Sequence, residues 1–339
     1  MKKITIFFII MSLITTKAQV TVANLQNVPS ALHPSMVGSA GNKRVTASYG
    51  VGIFDKYFNY GYKSSNYYGN SRLEQNNFTI SYDQLLKKIG SGIGGYLNYG
   101  YIPKQSGAEY TYVEPYTSTS YHMFSSGISF APKYNIMKKK NPEEVRFTWS
   151  PSITLSYFYN KYSFTTLIPE NNTAELTPYN NQELYKKNVF STEIGGLINS
   201  KKLMLGATIG YVKYNTINTN TYVSEDISSY TKLNKSKLRT SLLFGMSFPK
   251  KENSLIGYSF TNKLTIDWYN KSNLVLMYGN HNLRISKFII GSASSGIFQN
   301  YSNSLYVGYK AKNWKVTIGC TKYNKHWTLG ETSFVYTFK

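Results

Sequence analysis

Residues 147–157 read FTWSPSITLSY. The odd positions carry Phe, Trp, Pro, Ile, Leu and Tyr, whereas the even positions carry only Thr and Ser. Successive side chains of a β-strand point to opposite faces, so one face here is wholly apolar and the other wholly hydroxyl. The pattern predicts a strand that lies between an apolar and a polar environment.

The same period of two recurs along the chain. β-branched and aromatic residues dominate the periodic segments, as strands prefer, and no long amphipathic helix pattern follows residue 18. We predict strands over residues 44–54, 76–86, 92–102, 120–131, 145–158, 189–199, 203–214, 238–248, 255–266, 273–279, 283–291, 303–311, 315–323 and 331–338. Their number is even, as is usual for bacterial outer-membrane barrels.

Connections between the predicted strands tend to alternate in length. The short ones are 87–91, 200–202, 249–254, 279–282 and 312–314, and the long ones are 55–75, 103–119, 159–188 and 215–237. Short periplasmic turns and longer extracellular loops are typical of an outer-membrane β-barrel. Lipid cannot satisfy backbone donors and acceptors, so a spanning sheet must close on itself. We therefore predict an all-β fold: a transmembrane antiparallel β-barrel of about 14 strands over residues 44–339.

A secreted, soluble β-sandwich or barrel is the alternative fold, since it shows similar alternation. Such a domain normally carries charge on its solvent face, whereas the polar face here consists of Gly, Ser, Thr and Asn. The aromatic excess of Tyr 32, Phe 18 and Trp 4 also suits two interfacial girdles better than one core. The membrane barrel is therefore the favoured prediction.

Residues 1–18 have the organisation of a secretory signal peptide. A positively charged start at Met1–Lys3 precedes the apolar run Ile4–Ile14, and small residues lead up to Ala18. The apolar run is too short to span a bilayer as a helix. We expect cleavage after Ala18 and placement in the bacterial outer membrane, with residues 19–43 as a periplasmic N-terminal segment that could plug or cap the barrel.

Composition limits the chemistry. The chain has 339 residues and a formal net charge of +22, and its aromatic content of 16% excludes a disordered chain. Cys320 is the single cysteine, which excludes an intramolecular disulfide and a thiolate-rich zinc site. Cys320 falls on the predicted apolar face with Val316 and Ile318, which favours a lipid-facing structural thiol over a reactive one.

Lysines cluster in the predicted short turns and would form a basic ring at the periplasmic rim. They are Lys87, Lys88, Lys138, Lys139, Lys140, Lys201, Lys202, Lys250 and Lys251, followed by Lys312 and Lys315. Two interpretations stay open: these side chains contact anionic outer-membrane lipids, or they dock an acidic periplasmic partner. Nucleic acid is not expected as a partner, because secretion separates the chain from it.

Catalytic motifs are not evident. The four histidines are His33, His122, His281 and His326. None of them has a His, Asp or Glu at the spacing of a metal site. A membrane-embedded lipid hydrolase would need a nucleophile such as a serine at 91 or 126, but hydroxyls occur throughout the predicted lumen face. We predict no enzyme activity, no metal site and no cofactor.

Two carboxylates fall on the predicted lumen face. They are Asp83 and Glu193, and Arg44 and Arg239 are their candidate partners. Charges inside a membrane protein usually pair with one another. We therefore expect ion pairs that fill the barrel.

The segment before the first predicted strand reads LHPSMVGS over residues 32–39, and Arg44 follows. It resembles the start of the PorP/SprF family, outer-membrane barrels of the type IX secretion system in Bacteroidetes. Members read there as Asn-Pro-Ala-aromatic-Ala-Gly-Ser, followed by an Arg that opens the first strand. His33 and Met36 depart from this pattern, and the C-terminal strands show a weaker likeness. The matching residues, candidates for a structural or partner-contact role, are Pro34, Gly38, Ser39 and Arg44.

The resemblance implies a non-enzymatic role in protein secretion. Members help to secrete or hold partner proteins, often adhesins used in attachment or gliding motility, at the cell surface. The implied partners are type IX secretion components in the periplasm or outer membrane and a secreted protein with a C-terminal sorting domain. Outer-membrane lipids would surround the barrel. A porin or small-solute diffusion channel is the alternative function.

Overall fold

The computed structural model describes residues 16–17, 27–39, 43–54, 73–102, 116–136, 147–167, 181–200, 202–222, 227–248, 255–268, 273–298, 300–323 and 327–338. These residues form fourteen long antiparallel strands, β1 to β14 in chain order. The strands are β1 (Arg44–Phe54), β2 (Leu73–Leu86), β3 (Ser91–Ile102), β4 (Tyr116–Pro132), β5 (Thr148–Leu167), β6 (Asn181–Asn199), β7 (Leu203–Tyr222), β8 (Ile227–Phe248), β9 (Ile256–Trp268), β10 (Asn273–Ile285), β11 (Phe288–Phe298), β12 (Asn300–Lys310), β13 (Trp314–Tyr323) and β14 (Trp327–Thr337).

Four short elements accompany the long strands. The two-residue strand Thr16–Lys17 pairs with β11, and Tyr134–Asn135 pairs with β5. Helix α1 covers Pro29–Leu32, and a 3₁₀ turn follows at Pro34–Met36. Within the described part of the chain, no helix is long and apolar enough to cross a membrane.

The sheet closes into a barrel. Each long strand pairs with its neighbours in chain order, and β14 pairs with β1 from Trp327 opposite Phe54 to Thr337 opposite Arg44. Closure removes the unpaired edges that lipid could not satisfy. The predicted closed antiparallel barrel of fourteen strands is confirmed. By the general rule for such barrels, the rim with the short turns and both ends of the barrel domain faces the periplasm.

Side chains alternate between the two faces as the sequence predicts. On β5, Ile153 and Leu155 point outward and are 46% and 60% exposed, whereas Ser152 and Thr154 point inward and are 8% and 7% exposed. Most positions of the other strands repeat this pattern, with large apolar residues outside and small polar residues inside. A water-soluble barrel would turn its apolar face inward, so the soluble alternative is wrong.

Two predicted long loops are largely strand. β5 and β6 extend through most of 159–188, and β7 and β8 cover nearly all of 215–237. These four strands contain 20, 19, 20 and 22 residues, so they continue past the membrane on the extracellular side. Their upper parts face water on the outside, so the apolar alternation that marks a spanning strand is lost there. The predicted loops 55–75 and 103–119 lie mostly outside the described residues.

The turn predicted at 279–282 is wrong. β10 continues to Ile285, and the hairpin turns at residues 286–287, so the predicted strand 283–291 straddles this turn. The glycine and asparagines at 279–282 suggest a turn, but Asn280 and Asn282 point into the lumen and hydrogen-bond to the Tyr306 hydroxyl. A polar lumen gives these residues partners that the sequence does not show.

Candidate functional site

The barrel interior holds a segment of its own chain, residues 27–39, called the plug below. Pro29 starts α1 at the first turn, where a missing N–H costs nothing. Pro34 starts the 3₁₀ turn in the same way, so the segment folds as two short turns instead of one helix. Leu32, His33 and Val37 are at most 1% exposed. The plug therefore fills the lower lumen near the periplasmic rim.

An apolar cluster holds the centre of the plug. Leu32 packs with side chains that point inward from β6, β8 and β10 to β12: Leu197, Leu243, Tyr278, Ile289, Ala293 and Tyr306. Complete burial of a leucine contributes roughly 1.5–3 kcal/mol. These inward apolar residues interrupt the polar lumen face, and Leu32 and Met36 of the plug pack among them.

Asp83 fastens the C-terminal end of the plug to the wall. The backbone N–H of Gly38 donates to Asp83 Oδ1 at 3.0 Å. Arg44 Nε and Nη2 donate to the same carboxylate at 2.7 and 3.1 Å, so the ion pair expected from the sequence is confirmed. Gly38 has a φ of +70°, and a Cβ there would lie 2.7 Å from the Gly92 Cα. Only glycine fits this close approach without strain.

Asn27 fastens the other end of the plug where β13, β14 and β1 meet. Its Nδ2 donates to Ser333 Oγ at 2.8 Å, and its Oδ1 accepts from Lys315 Nζ at 2.8 Å. Its backbone carbonyl accepts from Thr46 Oγ1 at 2.7 Å. Lys315 therefore points into the lumen, and its predicted place in the basic rim is wrong because it alternates in phase with the buried Thr317.

A third attachment lies between these two ends. The hydroxyls of Ser35 and Ser152 are 2.7 Å apart, and Lys133 Nζ donates to the Ser35 carbonyl. Burial lowers the pKa of Lys133 to about 8, and the charge of Asp83 partly opposes that effect. Polar contacts therefore hold the plug to the wall on several sides, at β1, β2, β5, β13 and β14 and at the β4–β5 connection.

His33 lies at the most enclosed point of the plug. Its Nδ1 accepts the N–H of Ser35 at 3.2 Å, and its Nε2 makes no hydrogen bond within the described residues. Gly206 leaves room for the ring, since a Cβ there would lie 2.8 Å from Nε2. Burial, together with the nearby charges of Lys263 and Lys133, lowers the pKa of His33 to about 3. The plug thus requires a neutral imidazole.

A charged cluster lies in the lumen above the plug. Arg239 Nε and Nη2 donate to the Asp267 carboxylate at 2.7 and 3.1 Å, and Lys237 Nζ contacts the same group. Arg239 Nη1 also lies 3.6 Å from Glu193 Oε1, so the pairing of these two residues expected from the sequence is confirmed. Sequence reasoning missed Asp267, although it alternates in phase with the lumenal Thr265.

The motif residues lie around the plug. Pro34 and Gly38 are buried in it, Ser39 is exposed at its end, and Arg44 opens β1. The structure brings Gly38 and Arg44 together on Asp83. Pro34 and Ser39 do not contact that carboxylate, so the four motif residues form no single site.

Sequence reasoning missed several residues that attach the plug. They are Asn27, Ser35 and Lys133, whose contacts with the wall and with each other are described above. An irregular segment has no period that shows which of its side chains face the wall. The Asn and Ser side chains and the prolines at 29 and 34 indicate local turns, but they do not indicate a binding partner.

The predicted basic turns are only partly visible. Lys87 and Lys88 are exposed in the β2–β3 turn, Lys312 is exposed in the β12–β13 turn, and Lys202 is half-buried in the β6–β7 turn. A basic ring at this rim and its partner stay predictions. The remaining predicted members lie outside the described residues: Lys138, Lys139, Lys140, Lys201, Lys250 and Lys251.

No metal site emerges from the described residues. They contain no cluster of three His, Cys, Asp or Glu side chains that could hold a metal ion. His122 contacts the Tyr99 hydroxyl, and His281 contacts the Tyr258 hydroxyl. His122 and His281 therefore make their contacts with other residues of the barrel strands. His326 lies outside the described residues.

The hydroxyl and thiol groups considered as nucleophiles lie apart from any histidine base. Ser91 Oγ donates to the Ile89 carbonyl in the β2–β3 turn. Ser126 lies on the outward face of β4, at an apolar groove. Cys320 is a free, exposed thiol on the outward face of β13, as its alternation predicts. None of the three shares a hydrogen bond with a histidine in the part of the chain that the structure describes.

Neither a family model nor a curated protein matches the chain. Solved structures match over most of its length. The toluene transporter TbuX of Ralstonia pickettii has a TM-score of 0.54 and 10% identity, over 92% of this chain and 94% of that chain. The translocator domain of the autotransporter NalP from Neisseria meningitidis has a TM-score of 0.49 and 9% identity, over 94% and 100%. A FadL homologue of Pseudomonas aeruginosa has a TM-score of 0.46 and 10% identity, over 92% and 93%.

At such identities the likeness establishes the fold alone. The fold shared with TbuX, the closed sheet and the apolar outer face lead to one conclusion. The chain is an outer-membrane β-barrel, similar in fold to the barrel of TbuX.

Proposed function

We propose that this chain is a plugged outer-membrane barrel that docks or anchors a partner protein at the cell surface. The observation that carries the proposal is the plug, whose residues Leu32, His33 and Val37 are almost completely buried in the lumen. A diffusion channel needs an open, water-filled lumen. An anchoring protein does not need an open lumen, so a plugged barrel is compatible with that role.

The height of the wall supports a docking role. β5 to β8 contain 19 to 22 residues, whereas a spanning strand needs about 9–11. The upper halves of these strands therefore form an antiparallel sheet outside the membrane. Such a sheet offers a rigid surface that a partner can recognise.

The partners we propose are those of the family that the N-terminal motif resembles. They are type IX secretion components and a secreted, adhesin-like protein with a C-terminal sorting domain. The exposed Lys87 and Lys88 would face the periplasmic components, and the tall wall would face the secreted protein.

Shortening the tall wall tests the proposal. Lys161 and Lys186 are cross-strand partners, as are Ile217 and Lys232, so each upper hairpin can be cut at a matched pair and closed with Asn-Gly. Tagged wild-type and shortened barrels are purified from outer membrane after mild cross-linking, and the co-purifying proteins are identified. We expect the wild type to bring down a secreted protein with a sorting domain and the shortened barrels to lose it.

The control is the double substitution Lys287→Ala/Lys310→Ala, which removes two exposed lysines at the short-turn rim, leaves the wall intact and should retain the secreted protein. Folding of each variant is checked by heat-modifiable migration on gels. A wild-type barrel that brings down no stoichiometric protein contradicts the docking function. Equal recovery with wild type and shortened barrels contradicts the role of the wall.

A solute channel is the second candidate, and the charged cluster above the plug favours it. Charged side chains that line a lumen set the selectivity of many pores, and Glu193, Arg239 and Asp267 lie at mid-height. If the intact protein conducts in a planar bilayer, Glu193→Gln should shift its ion selectivity toward anions. A silent bilayer with folded protein counts against this candidate.

A further inference from the structure

A row of basic side chains crosses the outward face of neighbouring strands on the extracellular side. His122 of β4 pairs with Lys161 of β5, which pairs with Lys186 of β6. Lys213 of β7 lies nearer the membrane, opposite Phe190 of β6. All four basic residues alternate in phase with the exposed apolar residues of their strands, so they point away from the lumen.

The height of this row matches the surface of the outer leaflet. On β6, Ile198 is the outward apolar residue at the periplasmic end, and Phe190 is the last large apolar residue before Lys186. The stretch between Ile198 and Asn188 covers the roughly 9–11 residues that cross a bilayer. The lysines therefore lie where lipid headgroups meet water.

The described residues provide no counter-charge for the row. Within the described part of the chain, neither Lys161 nor Lys186 nor Lys213 forms an ion pair with a carboxylate. The lumenal arginines differ, since Arg44 and Arg239 both pair with carboxylates. The outer row is therefore free to bind an anion from outside the protein.

An apolar groove opens on the lipid face directly below the row. Gly95 and Ser126 form its floor, because neither has a large side chain, and Leu155, Tyr157 and Phe190 stand along its side. Its volume is about 610 Å³. The groove continues the outward faces of β5 and β6 that lead up to the lysines, so one molecule can reach both features.

We propose that this surface binds a phosphorylated glycolipid of the outer leaflet. Its phosphates bind to Lys161, Lys186 and Lys213, and one of its acyl chains lies in the groove. Phosphate matches the unpaired positive charge of the row, and an acyl chain matches the apolar groove at membrane depth. The site is separate from the plug and does not depend on the proposed docking function.

The test is a binding titration of the purified, detergent-solubilised barrel with bisphosphorylated lipid A. Each lysine at an anionic lipid surface contributes about fivefold in affinity. We therefore expect the triple substitution Lys161→Ala/Lys186→Ala/Lys213→Ala to weaken binding by about a hundredfold. Lys213→Ala alone replaces the triple variant if that variant fails the gel test for folding, and it should weaken binding by about fivefold.

A matched control separates this surface from the overall charge of the barrel. Lys43→Ala/Lys287→Ala/Lys310→Ala removes the same charge as the triple variant, but from exposed positions at the opposite rim. It should bind lipid A as the wild type does. Equal weakening by the control and the triple variant would mean that net charge, and not the row, attracts the lipid.

A second pair of variants tests the groove. Ser126→Phe fills the floor and should weaken binding of lipid A about tenfold without changing binding of its deacylated headgroup. Thr332→Phe adds the same ring to the outward face of β14, away from the groove, and should have no effect. Equal effects of the two rings would contradict the place of the acyl chain in the groove.

Three further results would overturn the proposal. The first is unchanged affinity of the lysine variant. The second is equal binding to vesicles of zwitterionic phosphatidylethanolamine, which would exclude recognition of the phosphate groups. The third is displacement of lipid A by inorganic phosphate at the same affinity, which would identify a site for a free anion instead of a lipid.

Discussion

At the scale of single residues, Asp83 joins two distant parts of the chain. It accepts the N–H of Gly38 and pairs with Arg44. The pairing with Arg44 could be predicted, because period-two alternation places both residues on the lumen face of adjacent strands. The contact with Gly38 could not, because no periodicity relates the plug to the wall. Alternation predicts which face a residue occupies, and only the folded lumen shows what lies opposite.

Replacing this carboxylate should loosen the plug. Asp83→Asn leaves Arg44 without its counter-charge, and loss of one partner of a buried pair costs about 3 kcal/mol. We expect faster hydrogen exchange at residues 37–39, measured by mass spectrometry of the folded barrel in detergent. Asp267→Asn removes a lumenal carboxylate of similar burial that does not touch the plug, so it should leave exchange there unchanged. Equal exchange in the two variants would contradict the anchoring role of Asp83.

Acid should also weaken the plug through His33. The pKa of His33 is about 3 in the plug and 6.5 in a free chain, so a released plug binds a proton that the docked plug excludes. Docking is therefore unaffected above pH 6.5 and is lost progressively as the pH falls toward 3, by about 1.4 kcal/mol per pH unit. Hydrogen exchange of residues 28–37 across this range measures the effect. In His33→Gln, the dependence of plug exchange on pH should be much weaker than in the wild type. An equally strong dependence would exclude His33 as the cause.

At the scale of elements, the sequence predicts strands well where one side faces lipid. Thirteen of the fourteen predicted strands lie within observed ones or overlap them closely, because the contrast between lipid and lumen imposes the alternation. Prediction fails where that contrast ends. The upper parts of β5 to β8 contact water outside, and the turn-like residues at 279–282 of β10 have partners in the lumen, which displaces the predicted strand 283–291.

The β10–β11 hairpin offers a test of strain in one element. Ser286 has a φ of 56°, which L side chains disfavour, whereas Lys287 is not in the positive-φ region. Ser286→Gly should therefore stabilise the barrel by about 0.5–1 kcal/mol. Urea unfolding of the refolded protein in detergent measures the change. Lys287→Gly is the adjacent control and should destabilise, and stabilisation by both substitutions would exclude relief of strain as the reason.

At the scale of the whole molecule, closure of the sheet could be predicted from alternation and turn length. Occupation of the lumen could not be predicted with the same detail, since it depends on contacts between residues far apart in sequence. Asn27 and Ser333, for example, are separated by 306 positions. Whether the plug closes the lumen therefore decides between the two candidate functions, docking of a partner protein and conduction of solutes.

A disulfide lock separates the two functions. The Ser35 and Ser152 hydroxyls are 2.7 Å apart, so cysteines at both positions should form a disulfide, with Cys320→Ser removing the native thiol. Oxidation should then fix the plug, and the locked barrel should retain its docked partner while conducting no ions in a planar bilayer. The reduced form of the same variant is the control. Conductance through the oxidised barrel would contradict closure of the lumen by the plug.

The attachment of Asn27 to Ser333 and Lys315 has a consequence for biosynthesis. The plug is made before the barrel strands, and its residue Asn27 binds to the strands that are made last. A chain that stalls before β14 lacks Ser333 and cannot close the sheet, so the lumen that encloses Leu32 and Val37 does not form and both side chains stay exposed. Periplasmic chaperones and proteases recognise exposed apolar segments. Unfinished chains would therefore be recognised through their exposed plug segment, which is buried in a complete barrel.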